Sequence, residues 1–136
     1  MSQSEIFETV AKIVCETLAM AEEKAISPEA LLFYDLNFTS MDMLDLLFRV
    51  EQHFKISIPE GTLYRLARAD LADHEFANEG VLTGLGREKL MKLLDDSPAV
   101  IFPERIHVAT LPRYCTVGAI VRLVEHRIKE REACSS

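Results

Sequence analysis

Apolar residues recur at spacings of three and four from the start of the chain, at Ile6, Phe7, Val10, Ile13, Val14 and Leu18. That spacing predicts an amphipathic helix over 4–23. Ser4 is the expected N-cap, with Glu5 and Glu8 in the first turn, where carboxylates meet the positive end of the helix dipole. Ser27-Pro28-Glu29 breaks the pattern and suits a short turn. The stretch to Asn37 reads as a loop held down by Leu31, Leu32, Phe33, Tyr34 and Leu36. A second helix is predicted from Ser40 to Phe54, where Met43, Leu46, Leu47, Val50 and Phe54 form one core-facing stripe. Met41, Leu44 and Phe48 repeat at helical spacing off that stripe, beside Asp42, Asp45 and Glu51. This helix therefore carries more apolar surface than one core contact needs. Pro59 closes the segment.

Between 60 and 111 the pattern is more broken. Thr62 to Leu71 and Leu85 to Leu94 read as helices, with loop signals at Asn78-Glu79-Gly80 and Gly84-Leu85-Gly86. The runs Ala99 to Phe102 and Ile106 to Ala109 flank Pro103-Glu104-Arg105 and are expected to pair as a small hairpin. A last helix is predicted from Thr116 to Lys129, with Val117, Ile120, Val121, Leu123, Val124 and Ile128 as its apolar face. The polar end, Lys129 to Ser136, is expected to fray. The fold class is mainly α.

Composition narrows the possibilities. The chain has 136 residues, of which 49% are apolar, so it can bury a core without disulfides or metal. Cys15, Cys115 and Cys134 are widely spaced, and the four histidines are scattered, so neither a disulfide framework nor a metal site is expected. No apolar run reaches the length of a membrane span, and Met1 to Phe7 has no apolar signal region. The expected address is the cytoplasm. The net charge of -7 is concentrated in residues 1–58, where ten acids face four bases. An acidic face repels phosphate backbones, so nucleic acid is not an expected partner.

Chemistry concentrates around residues 35–59. Thr39-Ser40-Met41-Asp42 reads as a helix start with Thr39 as N-cap and Asp42 three residues on. A phosphate carried on Ser40 would lie near free backbone N–H groups and the positive end of the helix dipole. No base adjoins Ser40 in sequence, so it suits a substrate of another enzyme better than a nucleophile acting alone. No paired carboxylates, triad or phosphate loop marks a catalytic site.

The run from Asp35 to Pro59 resembles the acyl carrier protein family. Asp35-Leu36 match the family's Asp-Leu-Gly, Ser40 falls at its modified serine, and Asp42 and Asp45 match acids on its recognition helix. Phe54, Ile56, Ile58 and Pro59 match the end of that segment, and Thr116-Val117 the start of the last helix. The resemblance covers roughly 4–59 and 112–128. Two positions depart from the pattern: Asn37 replaces Gly, and Thr39 replaces the Asp before the serine. Asn tolerates left-handed backbone better than most residues.

The resemblance implies an acyl-carrier-like helical bundle, one carrier domain over 1–136, with an enlarged region at about 60–111. It implies a 4'-phosphopantetheine arm on Ser40, taken from coenzyme A, on which acyl groups ride as thioesters. Partners would be a phosphopantetheinyl transferase and acyl-loading and acyl-transfer enzymes with basic docking faces. They would dock on Met41, Asp42, Asp45, Phe48 and Glu51. The protein itself would be a carrier and not an enzyme, and a monomer. The long region points to specialised fatty acid or lipid biosynthesis, envelope lipids included, and is expected to enlarge the acyl pocket or add a partner surface; extra core alone is the plainer reading. A peptidyl or polyketide-type carrier, or an unmodified interaction protein on the same fold, are the alternatives.

Overall fold

The computed structural model describes residues 2–19, 26–59 and 61–134. Helix α1 spans Gln3–Thr17, α2 Ser40–Phe54, α3 Thr62–Arg68, α4 Asp73–Phe76 and α5 Gly84–Leu93. Strands β1 (Ala77–Asn78) and β2 (Val81–Leu82) lie between α4 and α5, and α6 runs from Val117 to Cys134. The chain is mainly α, as the pattern predicts.

Helix α1 starts one residue before the predicted cap. Ser2, not Ser4, closes it: its hydroxyl accepts the Glu5 N–H at 3.2 Å and donates to the Glu5 carboxylate at 3.0 Å. The helix ends at Thr17, and residues 20–23 of the predicted span lie outside the described residues. The predicted stripe is real, with Ile6, Val10, Ile13 and Val14 buried, and α1 packs on both α2 and α6.

Helix α2 has the predicted bounds. Met43, Leu46, Val50 and Phe54 are buried, each burial contributing on the order of 1.5–3 kcal/mol. Lys55 then turns left-handed, at φ 54°, and ends the helix. In the preceding loop Leu31, Leu32 and Phe38 are buried, but Tyr34 is exposed and does not help to hold the loop down.

Residues beyond 60 fold onto the helices. Ala67, Phe76, Leu82, Leu90, Leu94, Phe102, Ile106 and Leu111 belong to the same apolar cluster as the α1, α2 and α6 stripes. The hairpin is not where the sequence predicts it. Ala77 pairs with Leu82 and Asn78 with Val81, around Glu79 and Gly80, both at positive φ (50° and 79°). Two such residues are what a tight two-residue hairpin turn requires. The expected strand partners form 3-10 turns instead, at Ala99–Ile101 and Val108–Tyr114. Ile106 and Val108 do bond to a strand edge, but to the β2 side: Leu82 N–H donates to Ile106 O at 2.8 Å, and Val108 N–H to Gly80 O at 2.9 Å.

Gly84-Leu85-Gly86 is not a loop but the first turn of α5, capped by the Thr83 hydroxyl, which accepts the Gly86 N–H at 2.9 Å. Gly86 is needed for close approach, since a Cβ there would lie 2.1 Å from Phe76 O.

The region 60–111 is tied to α6 through Asp96. Its carboxylate accepts from the Thr116 hydroxyl at 2.5 Å and from Arg122 Nη1 and Nη2 at 3.2 and 3.1 Å. Burial alone would raise the Asp96 carboxyl; the Arg122 and Thr116 hydrogen bonds and the guanidinium charge outweigh it and hold it below its ordinary value. Thr116 also caps α6 by accepting the Ala119 N–H at 3.0 Å.

The end of α6 does not fray at Lys129; it continues to Cys134. Arg131 Nη1 donates to Phe54 O and Lys55 O at 2.7 and 3.1 Å, and Arg127 Nε to Ser57 O at 2.6 Å. The Arg131 guanidinium satisfies carbonyls that the C-terminus of α2 leaves without helical partners, and Arg127 holds the segment that follows.

Candidate functional site

Ser40 is the first residue of α2 and is exposed. Its position follows from the residues around it. Asn37 adopts φ 56°, the left-handed conformation that Gly would otherwise supply, and so turns the chain into the helix. Phe38 is buried next to it and anchors the turn. Asp35 braces the loop, its carboxylate accepting the Leu31 N–H at 2.8 Å.

Thr39 and Asp42 form the predicted capping box. The Thr39 hydroxyl accepts the Asp42 N–H at 3.2 Å, and the Asp42 carboxylate accepts the Thr39 N–H and hydroxyl at 2.9 and 3.0 Å. Among the described residues, the Ser40 hydroxyl has no hydrogen-bond partner. The nearest carboxylate in sequence, Asp42, is held on Thr39, so no side chain of this turn acts as a base on Ser40. The first helical N–H groups, those of Ser40 and Met41, precede the first intrahelical bond and are available to an anion. A phosphodiester on Ser40 therefore fits this turn: the oxygen is accessible, and amides and the helix dipole favour negative charge beside it.

Of the expected docking residues, the structure brings Met41 and Phe48 together with Leu44 on one open face, at 73%, 60% and 64% exposure. Leu44 is thus a surface residue and not part of the core. The acids are placed differently. Asp42 belongs to the capping box. Asp45 accepts from Arg49 Nε at 3.1 Å, and Arg49 also lies 3.9 Å from the Glu16 carboxylate on α1. Glu51 accepts the Ile58 N–H at 2.8 Å and fixes the segment after the helix. The Asp45–Arg49 pair is an addition to the expected docking residues, and its spacing of four is the signal for it.

Among the described residues, surface grooves lie at two places beside α6. One, of about 370 Å³, lies between the start of α1, Pro28-Glu29 and the first turns of α6. The other, of about 230 Å³, lies between Lys55-Ile56-Ser57 and Arg127, Glu130 and Arg131. Neither is lined by Ser40 or Leu44, and Asp96 is the sole lining residue from 60–111. Among the described residues no group of His, Cys, Asp and Glu is arranged to hold a metal ion. Cys15 and Cys115 are buried and unpaired, and burial pushes the Cys115 thiol up to about 12. Among the described residues no helix is long and apolar enough to cross a membrane.

Comparison with known proteins gives concordant results. The sequence model of the family described as a phosphopantetheine attachment site matches residues 8–74. An acyl carrier protein of Thermosynechococcus vestitus is 42% identical over 60 residues, which is 44% of this chain and 73% of that protein. No solved structure matches.

Proposed function

Since this chain belongs to the acyl carrier protein family, a family built on a covalent 4'-phosphopantetheine arm, we propose that Ser40 is the residue that takes the arm from coenzyme A. The observation that carries this reading is the exposed, unpartnered Ser40 hydroxyl on the first turn of α2, inside the matched span. The protein is a carrier and not a catalyst, and a phosphopantetheinyl transferase and acyl-transfer enzymes are its partners.

Ser40 supplies the oxygen that becomes esterified: its bond to the arm's phosphorus forms as the pyrophosphate bond of coenzyme A breaks, and adenosine 3',5'-bisphosphate leaves. With Asp42 held on Thr39, the group that takes the Ser40 proton comes from the transferase. The N–H groups of Ser40 and Met41 favour the phosphodiester once it is formed. The terminal thiol of the arm is the group that holds acyl cargo as a thioester.

The docking face on this reading comprises Met41 and Phe48, with Asp42, Asp45 and Glu51 beside them. The whole chain acts as one monomeric carrier domain in the cytoplasm, with residues 60–111 folded against the bundle. The length of that region, 60–111, is what supports a specialised role in fatty acid or lipid biosynthesis, envelope lipids included, over a general-purpose carrier.

Incubation with coenzyme A, Mg²⁺ and a broad-specificity phosphopantetheinyl transferase, followed by intact mass, tests the assignment. One added arm on the native chain and none on Ser40→Ala is the expected result. Addition to the Ser40→Ala chain, or none to the native chain with several transferases, would overturn it.

A further inference from the structure

Beyond the far end of α2 from Ser40, the groove of about 230 Å³ is lined by Lys55, Ile56, Ser57, Arg127, Glu130 and Arg131. It brings three cations to one carboxylate, on a chain whose net charge is -7. Glu130 accepts from His126 Nε2 at 2.6 Å and from Arg127 Nη1. With Glu130 counted at its full charge, the groove keeps an excess of two positive charges. Backbone carbonyls set both guanidinium groups in place, Phe54 O and Lys55 O for Arg131 and Ser57 O for Arg127. Nη1 alone makes both Arg131 contacts, which leaves the other nitrogens of a five-donor group for a ligand. Lys55 is exposed and stands at φ 54° and ψ 48°, the left-handed cap of α2. Gly or Asn takes that conformation with the least strain, so a lysine there adds strain and brings an ammonium group to the groove. Among the described residues, Lys55 and Ser57 meet the arginines through backbone carbonyls only, and their ammonium and hydroxyl groups have no hydrogen-bond partner.

We infer that this groove binds a phosphate group, that of a small soluble ester or of a lipid headgroup. Guanidinium forks match phosphate oxygens in geometry, an ammonium adds a point charge, and the Ser57 hydroxyl adds a neutral donor. A phosphate monoester carries close to two negative charges at neutral pH, the excess that the groove holds. The groove is smaller than the pockets that take drug-sized ligands, which suits a small anion. The negative end of the α2 dipole would oppose an anion here, and Arg131, bonded to Phe54 O and Lys55 O, offsets it. At about 1.5 Å per residue, α2 sets the groove about 20 Å from Ser40. The site is therefore separate from the attachment turn, and it stands whether or not Ser40 carries the arm.

The test has two arms, both on the full chain. In the first, inorganic phosphate is titrated at constant ionic strength and followed by amide NMR, with acetate as the control anion. In the second, the chain is sedimented with phosphatidylcholine vesicles with and without phosphatidic acid. Saturable shifts at Lys55, Ile56 and Ser57 with phosphate and not with acetate are expected. Binding should weaken about tenfold in Lys55→Gly and Lys55→Gln, as loss of a charge-assisted hydrogen bond does, and persist in Lys55→Arg. Lys55→Gly also relieves the left-handed strain, so its melting temperature should equal or exceed the native one, which separates lost binding from a damaged fold. Sedimentation that requires phosphatidic acid and is lost in Lys55→Gly supports the inference with a lipid headgroup as the source. Phosphate binding without sedimentation supports it with a soluble ester as the source. Neither probe binding, acetate binding as well as phosphate, shifts centred on Thr39 to Met41 instead, or native binding by Lys55→Gly and Lys55→Gln overturns it.

Discussion

Thr39 and Asp42 hold each other across the first turn of α2, the Thr39 hydroxyl accepting the Asp42 N–H at 3.2 Å while the Asp42 carboxylate accepts the Thr39 N–H at 2.9 Å. Ser40 lies between them, on a turn closed from both sides. Thr39→Ala removes the hydroxyl and should destabilise the fold by about 1 kcal/mol, whereas Thr39→Ser should stay close to native. Thermal melting of the three chains at one pH compares them directly. Equal melting of Thr39→Ala and the native chain would mean that the box contributes nothing.

Asn37 holds a left-handed backbone at φ 56° just before this turn. Asn37→Gly should therefore be tolerated within about 0.5 kcal/mol, while Asn37→Val should cost about 1–2 kcal/mol. Urea unfolding midpoints distinguish the pair, and equal midpoints would refute the role assigned to the left-handed turn.

Two glycines of α5 provide an internal comparison. A Cβ at Gly86 would meet Phe76 O at 2.1 Å, whereas one at Gly84 meets nothing within 4 Å. Gly86→Ala should destabilise by about 1–3 kcal/mol, as overpacking against a fixed backbone does. Gly84→Ala should be neutral or gain about 0.4–1 kcal/mol by restricting the unfolded chain. Denaturant unfolding of both should give shifts of opposite sign, or a shift for Gly86→Ala alone.

The Asp96 carboxyl titrates below its ordinary value in the folded chain and near 3.9 when unfolded. The folded state thus favours the charged form. The stability from the Asp96, Arg122 and Thr116 cluster is fully present above about pH 4 and is lost as pH falls through the lowered folded value. Asp96→Asn should cost about 1–3 kcal/mol at pH 7, and the gap from the native chain should narrow towards pH 3. A gap that stays constant across that range in pH-dependent melting would exclude the linkage.

Much of the site is legible in the sequence because its determinants are local. The α2 stripe, the Thr39 to Asp42 spacing and the Asn37 turn all lie within a few residues of Ser40. What sequence misses depends on distant partners. Arg131 and Arg127 look like a polar tail until Phe54 and Ser57, 77 and 70 residues away, supply their acceptors. Ile106 to Val108 has strand character, but its partner is β2 and not Ala99 to Phe102, a choice made by tertiary packing. Gly84 and Gly86 resemble loop punctuation, yet Gly86 is there for the closeness of Phe76.

The contacts from Arg131 to Phe54 and Lys55 also bear on motion. They join the last turns of α6 to the far end of the helix that begins at Ser40, while Thr39 and Asp42 hold the near end. A segment pinned at both ends does not unwind a turn at a time; it opens as a unit with whatever pins it. The hydrogen-bonded amides of α2, from Met43 onward, should then share one opening free energy with residues 127–131 in hydrogen exchange. The helix serves as a stiff post, and the mobility needed to deliver a cargo falls to the flexible arm.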